Sequence, residues 1–348
     1  MTSPYDTLPD TAFWRSAVGE RSALDPGPLY SAKFPLRKKS AFATAGSCFA
    51  QHIGRHLRQA GCNVLDSEPS PLKLPEDLLS RFGFGLYSAR YGNIYTARQL
   101  LQLWEEATGK FTPAEPIWQK NGRFYDAFRP SVEPEGLPSA ELVRLHRAEH
   151  LAAVKRAFEA ANVFVFTFGL TEAWIHKKTG TVYPTAPGTI AGSHDPEVYQ
   201  FKNYSFGEII NDFRTFRRQM MALKPSGMRF VITVSPVPLT ATASGQHVEV
   251  ATAHSKAILR AVCGELAASF PNVDYFPSYE IITSANNRGV YFETNKRTVT
   301  KEGVNAAMSM FLRAHGFDER RPTATTETEE DADTDLACEE ALLEGFQK

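Results

Sequence analysis

The chain has 348 residues, 43% of them hydrophobic, which is enough for one large core or two modest ones without covalent staples. Its four cysteines, Cys48, Cys62, Cys263 and Cys338, show neither CxxC spacing nor histidine pairing; this argues against a disulfide framework and a zinc knuckle, fits a reduced, cytoplasmic setting, and leaves no cofactor or metal expected. The formal net charge of -1 conceals an asymmetry, because residues 327–344 hold nine acidic side chains and no basic one, yet the basic remainder is scattered rather than striped and does not indicate nucleic-acid binding.

The first 35 residues are rich in Pro, Ser and Gly and read as an irregular arm, with no uninterrupted apolar segment of the kind a secretory signal needs. Residues 40–45 form a short buried-strand pattern; beyond Gly46, the spacing of Phe49, Ile53 and Leu57 predicts a helix ending at Gly61, and residues 63–65 a second strand. Proline clusters and mixed aromatic contexts mark residues 66–150 as an insertion or lid, with helical stretches over 97–106 and 140–160. The apolar runs 163–168 and 230–234 fit strands covered on both faces of a parallel sheet. A helix over 250–266, a strand over 273–276 and a helix over 301–315 capped by Thr300 complete an α/β alternation, and no stretch reaches the length of a membrane span. From residue 319 onward the composition is too polar to bury a core, so an acidic, disordered tail is expected, whose end at 342–346 is either a frayed terminus or a docking peptide for a protein partner.

In doubly wound sheets ligands lie beyond the carboxyl ends of the strands, which singles out Gly46-Ser47-Cys48, residues 169–172, residues 235–238 and residues 295–298. A serine at a strand-to-helix turn exposes its hydroxyl near the positive end of the helix, as a nucleophile requires; capping that helix is the competing role. Cys48 is a rival nucleophile, although its place in the first turn suits a small packed residue better. His176 and His194 are candidate bases or ordinary loop histidines, Glu172 is a candidate base if burial raises its pKa, and His52 and His56 are either a metal-binding pair or one face of a helix. Tyr91, Tyr95, Trp118, Tyr125, Trp174 and Tyr204 suit stacking on sugar rings, with Arg90 and Arg129 for acidic groups, while core packing is the alternative for most of them.

The run Gly46-Ser47-Cys48-Phe49-Ala50 resembles the signature of the GSCFA family. Further segments agree in order across roughly residues 30–315: Gly92-Asn93-Ile94-Tyr95-Thr96, residues 123–130, Gly169-Leu170-Thr171-Glu172-Ala173-Trp174, residues 234–239 and residues 275–280. That family is similar to the SGNH (GDSL-like) hydrolases. The resemblance implies a three-layer α/β/α, flavodoxin-like fold over residues 36–318 with a central, mostly parallel sheet. It further implies Ser47 as nucleophile with its backbone N–H as an oxyanion donor, Gly92 as the second-block glycine, and Thr171 where an oxyanion-binding Asn is usual, Asn93 being able to supply the missing amide. One block departs: where Asp-x-x-His is expected before the last helix, this chain has Asn295 and Thr298, neither of which accepts a proton at neutral pH. Two functions follow from the resemblance, an esterase or O-acyltransferase acting on an acylated glycan or glycoconjugate, and a pseudoenzyme that binds a saccharide, an acylated small molecule or a protein partner through the same pocket.

Overall fold

The computed structural model describes residues 2–25, 27–317 and 339–346. The domain opens with strand β1 (Phe42–Gly46) and helix α1 (Phe49–Gln59). Helices α2 (Glu76–Arg81) and α3 (Ala97–Ala107), the hairpin of β2 (Ile117–Lys120) and β3 (Arg123–Asp126), and α4 (Ala140–Ala160) follow. Next come β4 (Val163–Phe168), β5 (Glu172–His176), β6 (Val182–Tyr183), β7 (Tyr199–Asn203) and α5 (Phe206–Leu223). The sequence closes with β8 (Arg229–Val234), α6 (Val248–Ser269), β9 (Val273–Tyr275), α7 (Ser278–Thr283), α8 (Lys301–Ala314) and a 3-10 helix at Glu339–Phe346.

The central sheet is wholly parallel, in the order β1-β4-β8-β9. The strand expected at 63–65 is reduced to a single parallel bridge between Val64 and Phe42 at the β1 edge. Alternation along β4 builds the layers: Val163 and Val165 join Phe49, Ile53, Leu57, Ile281 and Phe311 on one face, while Phe164, Phe166 and Phe168 join Leu100, Phe158, Phe213 and Leu259 on the other. Helices on both faces of a parallel sheet make a three-layer α/β/α architecture. Each of these fully buried phenylalanines stabilises the fold by roughly 2–3 kcal/mol through the apolar surface it removes from water.

The segment read as an insertion or lid is partly structural. Leu100 of α3 and Phe158 of α4 are fully buried in the core, so these helices form part of one flanking layer. Arg90 and Arg129, candidate receptors for acidic ligands, are committed elsewhere: Arg129 is buried and pairs with Asp126 (2.9 Å) and Glu68 (3.1 Å), and Arg90 pairs with Glu133 (3.1 Å). Trp118 and Tyr125 belong to a small core with Tyr183 and Tyr199, and Tyr91 gives its hydroxyl to the carbonyl of Thr44. A second, antiparallel sheet, β6-β5-β7, was not anticipated from the sequence.

The N-terminal arm contains two short helical turns, Asp10–Ala12 and Arg15–Gly19, and docks through its last residues. Lys33 Nζ donates to the carbonyls of Ala267 and Phe270 (2.8 Å), which the end of α6 leaves without helical partners, and to that of Val273 (3.2 Å) at the start of β9. At the other end, the disordered tail expected from residue 319 needs correcting over its final turns: Glu339–Phe346 is helical, with Glu339 and Glu340 buried. The remainder of the expected tail, residues 319–338 and 347–348, lies outside the described residues. No helix among the described residues is long and apolar enough to cross a membrane.

Candidate functional site

Ser47 is placed by β1. Gly46 has φ +140°, and a Cβ there would lie 2.5 Å from the carbonyl oxygen of Thr167, so only glycine lets β1 run this close to β4 as it turns into α1. The ladder continues one residue further, with Ser47 N–H donating to Thr167 O at 3.1 Å. This amide is therefore engaged in the sheet, contrary to its expected role as an oxyanion donor. The hydroxyl does not cap the helix either: Cys48 holds the N-cap position of α1 with no side-chain cap bond, and Ser47 Oγ is buried without a hydrogen-bond partner among the described residues. Buried polar atoms are nearly always paired, so an orphan at the carboxyl end of a parallel sheet points to a ligand.

The segment Gly92–Tyr95 is stitched across the same strand ends. Ile94 N–H donates to Gly46 O (2.8 Å), and Tyr95 O accepts from Gly169 N–H (3.0 Å) and Leu170 N–H (3.1 Å). A Cβ on Gly169 would fall 2.9 Å from Ser47 Cβ and 3.1 Å from Tyr95 Cδ1, which puts Ser47 and Tyr95 side by side over this glycine. Asn93, 2% exposed, has its orientation fixed by its neighbours. Tyr87 Oη–H (2.5 Å) and Gln51 Nε2–H (3.4 Å) both donate to its Oδ1, so its Nδ2 donors face the other way. Tyr87 Oη also lies 3.1 Å from Ser47 O, tying this amide to the serine turn.

Lys256, on the buried face of α6, was missed in the sequence. Its Nζ donates to Gly169 O at 2.8 Å, on the residue whose α-carbon packs against Ser47. Burial pushes the ammonium down to about 8, against the opposing influence of Glu340 and Cys48, while nearby Arg297 lowers it further. The signal was available: a lysine falls inside the stripe Ala251, Ser255, Leu259, Val262, Leu266 that otherwise packs in the core. Arg297 comes from the turn that supplies Asn295 and Thr298, and it pairs with Glu340 at 3.5 Å.

The remaining candidates fall into two groups. Thr171 lies near this end of the sheet, fully buried, with its Oγ1 unpartnered among the described residues and its N–H donating to Ser255 Oγ (3.1 Å) on α6. Cys48 is buried as expected of a packed residue. Glu172 instead accepts from Thr242 Oγ1 (2.8 and 2.9 Å), and burial raises its carboxyl above the ordinary range. Asn295 and Thr298 form a closed, exposed turn in which Asn295 Oδ1 accepts from the N–H groups of Arg297 and Thr298, both at 2.9 Å. His176 ends β5, about 13 Å along the strand from Glu172, and is bonded to Thr179 (3.0 Å). His194 packs edge-on against Trp174 with ring centroids 4.9 Å apart. His56 Nδ1 bonds the carbonyl of His52 (2.9 Å), and no three His, Cys, Asp or Glu side chains gather as a metal site among the described residues.

Neither a curated protein nor a solved structure matches this chain significantly. The GSCFA family model matches residues 41–311, a span that runs from β1 into α8 and carries Ser47, Asn93, Tyr95, Gly169, Lys256 and Arg297, and the chain therefore belongs to the GSCFA family.

Proposed function

We propose that this pocket is the active site of an SGNH-like esterase or O-acyltransferase acting on an acylated glycan or glycoconjugate, with Ser47 as the nucleophile. The observation that carries this reading is the buried, unpartnered Ser47 Oγ beside an asparagine amide whose donors are fixed in direction. In this reading an acyl carbonyl lies over Ser47, and Asn93 Nδ2 donates to the oxyanion as the tetrahedral intermediate forms. Thr171 Oγ1, at the position where the family resemblance expects an asparagine, is a second donor. The base is Lys256 rather than a histidine, since an amine held near 8 is partly neutral at physiological pH. Its Nζ exchanges the Gly169 carbonyl for Ser47 Oγ, takes the hydroxyl proton during attack, and returns it to the leaving alcohol.

The second reading, a pseudoenzyme that binds a ligand without turnover, is favoured by Asn295 and Thr298, which close on each other at the position where the dyad is expected. The two readings separate on intact-protein mass after treatment with a serine-reactive fluorophosphonate. Labelling of the wild type that disappears in folded Ser47→Ala is the expected result. Absence of labelling, with an SGNH esterase labelled in parallel as a control, would leave the binding-only reading standing.

A further inference from the structure

Glutamate is seldom buried without partners, yet Glu339 is 2% exposed within a strongly acidic stretch of sequence. Both of its carboxylate oxygens are engaged. Ser131 Oγ donates to Oε1 at 2.5 Å, Tyr95 Oη donates to Oε2 at 2.9 Å, and Asn93 Nδ2 donates to Oε2 as well. All three donors are neutral. They are held by the protein rather than gathered by the glutamate: Asn93 is oriented by Tyr87 and Gln51, and Tyr95 is fixed through its backbone to Gly169. The wall beside them fits the carboxylate closely, since a Cβ at Gly92, whose φ is +66°, would come 3.1 Å from Glu339 Oε1. Next to it, Glu340 pairs with Arg297, and Glu340 also favours the charged form of Lys256. The apolar end of the same segment contributes little to docking, with Leu342 52% and Phe346 63% exposed.

We propose that this pocket contains a carboxylate-recognition site, formed by Asn93, Tyr95 and Ser131, and that the chain's own Glu339 is its intramolecular occupant. The ligand class that competes with it is a carboxylate-bearing molecule. The segment fills the cradle but leaves Ser47 Oγ without a partner, as an acidic group seated beside the reacting position would. An ester carbonyl presents its oxygen to donors in a similar way, so the proposal deepens the reading of this pocket as the functional site; it does not depend on turnover at Ser47. Because the occupant belongs to the same chain, its competition with an external ligand is intramolecular, and an external ligand of moderate affinity is outcompeted until the segment leaves.

The test uses full-length chains and a fluorescent synthetic peptide spanning residues 337–348, followed by anisotropy. Wild type, in which the site is filled in cis, is compared with Glu339→Ala/Glu340→Ala, whose folding is checked by circular dichroism. The expected result is binding to the double variant at least about tenfold tighter than to wild type, and a loss of that gain for the peptide carrying Gln in place of Glu339. Equal affinity for the two chains, or binding indifferent to the Glu-to-Gln change, would overturn the proposal. If the double variant fails to fold, Tyr95→Phe added to Glu339→Gln removes one donor and one anion, and this chain must bind the peptide more weakly than Glu339→Gln alone. Fluorophosphonate labelling of the same chains reads turnover separately: a tenfold affinity change without labelling upholds the carboxylate site and sinks catalysis at Ser47, whereas labelling with equal affinities does the reverse.

Discussion

Beneath the loop that follows β3, Asp126, Arg129, Arg147, Glu106 and Glu68 form a buried ionic cluster; at the carboxyl ends of the sheet, Ser47, Thr171, Lys256 and Glu339 form a second buried polar region. In the first, charges meet opposite charges: Asp126 binds Arg129 at 2.9 Å and Arg147 at 3.3 Å, Arg147 also binds Glu106, and His150 Nδ1–H donates to Glu68 at 2.7 Å. The single orphan in this cluster, His150 Nε2, lines a cavity of about 20 Å³, which is room for one water. In the second region, the hydroxyls of Ser47 and Thr171 have no partner among the described residues, and a lysine is held far below its ordinary pKa. Burial of polar groups is common to both. Shifted titratable groups occur in both as well; what separates the candidate site from the structural network is that, among the described residues, its lysine lacks a direct carboxylate partner of the kind that holds each arginine of the cluster, and its hydroxyls leave hydrogen-bonding capacity unused.

The contrast is sharpest under truncation. Burial raises the Asp126 carboxyl, but Arg147 and Arg129 outweigh it and hold it below the ordinary range. Asp126→Ala removes the carboxylate that two buried guanidinium groups share and leaves Arg129 with Glu68 and Arg147 with Glu106 alone, and a loss of about 3 kcal/mol is expected in urea denaturation at pH 7. A loss below about 1 kcal/mol would mean that solvent reaches the cluster and that the comparison is wrongly drawn.

Lys256→Met should behave in the opposite manner. A lysine whose folded pKa is depressed is buried at full cost where it stays charged, below about 8. Between about 8 and its unfolded value of 10.5 the unfolded chain holds a proton that the folded one has released, so stability at this position rises with pH across that window. Methionine removes the charge at similar volume, and the stability change at pH 7 is expected within about 1.5 kcal/mol, with the Gly169 carbonyl losing its donor as the main cost. Labelling of Ser47, in contrast, should fall by about a hundredfold or more if Lys256 is the base, and in the wild type it should climb between pH 7 and 9 as the amine becomes neutral. A labelling rate that Lys256→Met leaves unchanged would remove the lysine from the mechanism.

The two regions were not equally legible in the sequence, and the reason is periodicity. The continuous apolar run of 163–168, covered on both faces, and the stripes of α1, the long α4 and the Thr300-capped α8 emerge because their patterns persist over a full element. The sheet of β5, β6 and β7 escaped because its strands are two to five residues long and lie off the main sheet. Helix α5 also went unread, although Ser205 and Glu208 form a capping box at its start. At the site, Ser47, Gly92, Asn93 and Thr171 follow strand ends or a family motif and could be named in advance. Lys256, Arg297 and Glu339 could not be assembled, since their meeting depends on which way α6, a turn and the C-terminus point, and chain separation says nothing of that. In the tail, attention went to Leu342 through Phe346, whereas the residues that dock are the two glutamates before them.

The smallest expected effect concerns the turn at Asn295 and Thr298, where the family resemblance leads one to look for the dyad. Asn295 accepts two backbone N–H bonds and donates from Nδ2 to Thr298 Oγ1 at 2.9 Å, Lys296 takes φ +58°, and both Asn295 and Thr298 face solvent. In Asn295→Asp/Thr298→His the aspartate keeps both backbone acceptances and the histidine projects from an exposed corner, so stability should stay within about 0.5 kcal/mol of wild type. Labelling at Ser47 should not change, because positions 295 and 298 face solvent, while the half-buried side chain of this turn is Arg297, already held by Glu340. A Ser47-dependent gain of about tenfold or more, equivalent to 1.4 kcal/mol of barrier, would show that the turn can swing inward once a base is present. It would then be the chemistry of residues 295 and 298, rather than Glu340's hold on Arg297, that deprives the wild-type chain of the ordinary dyad.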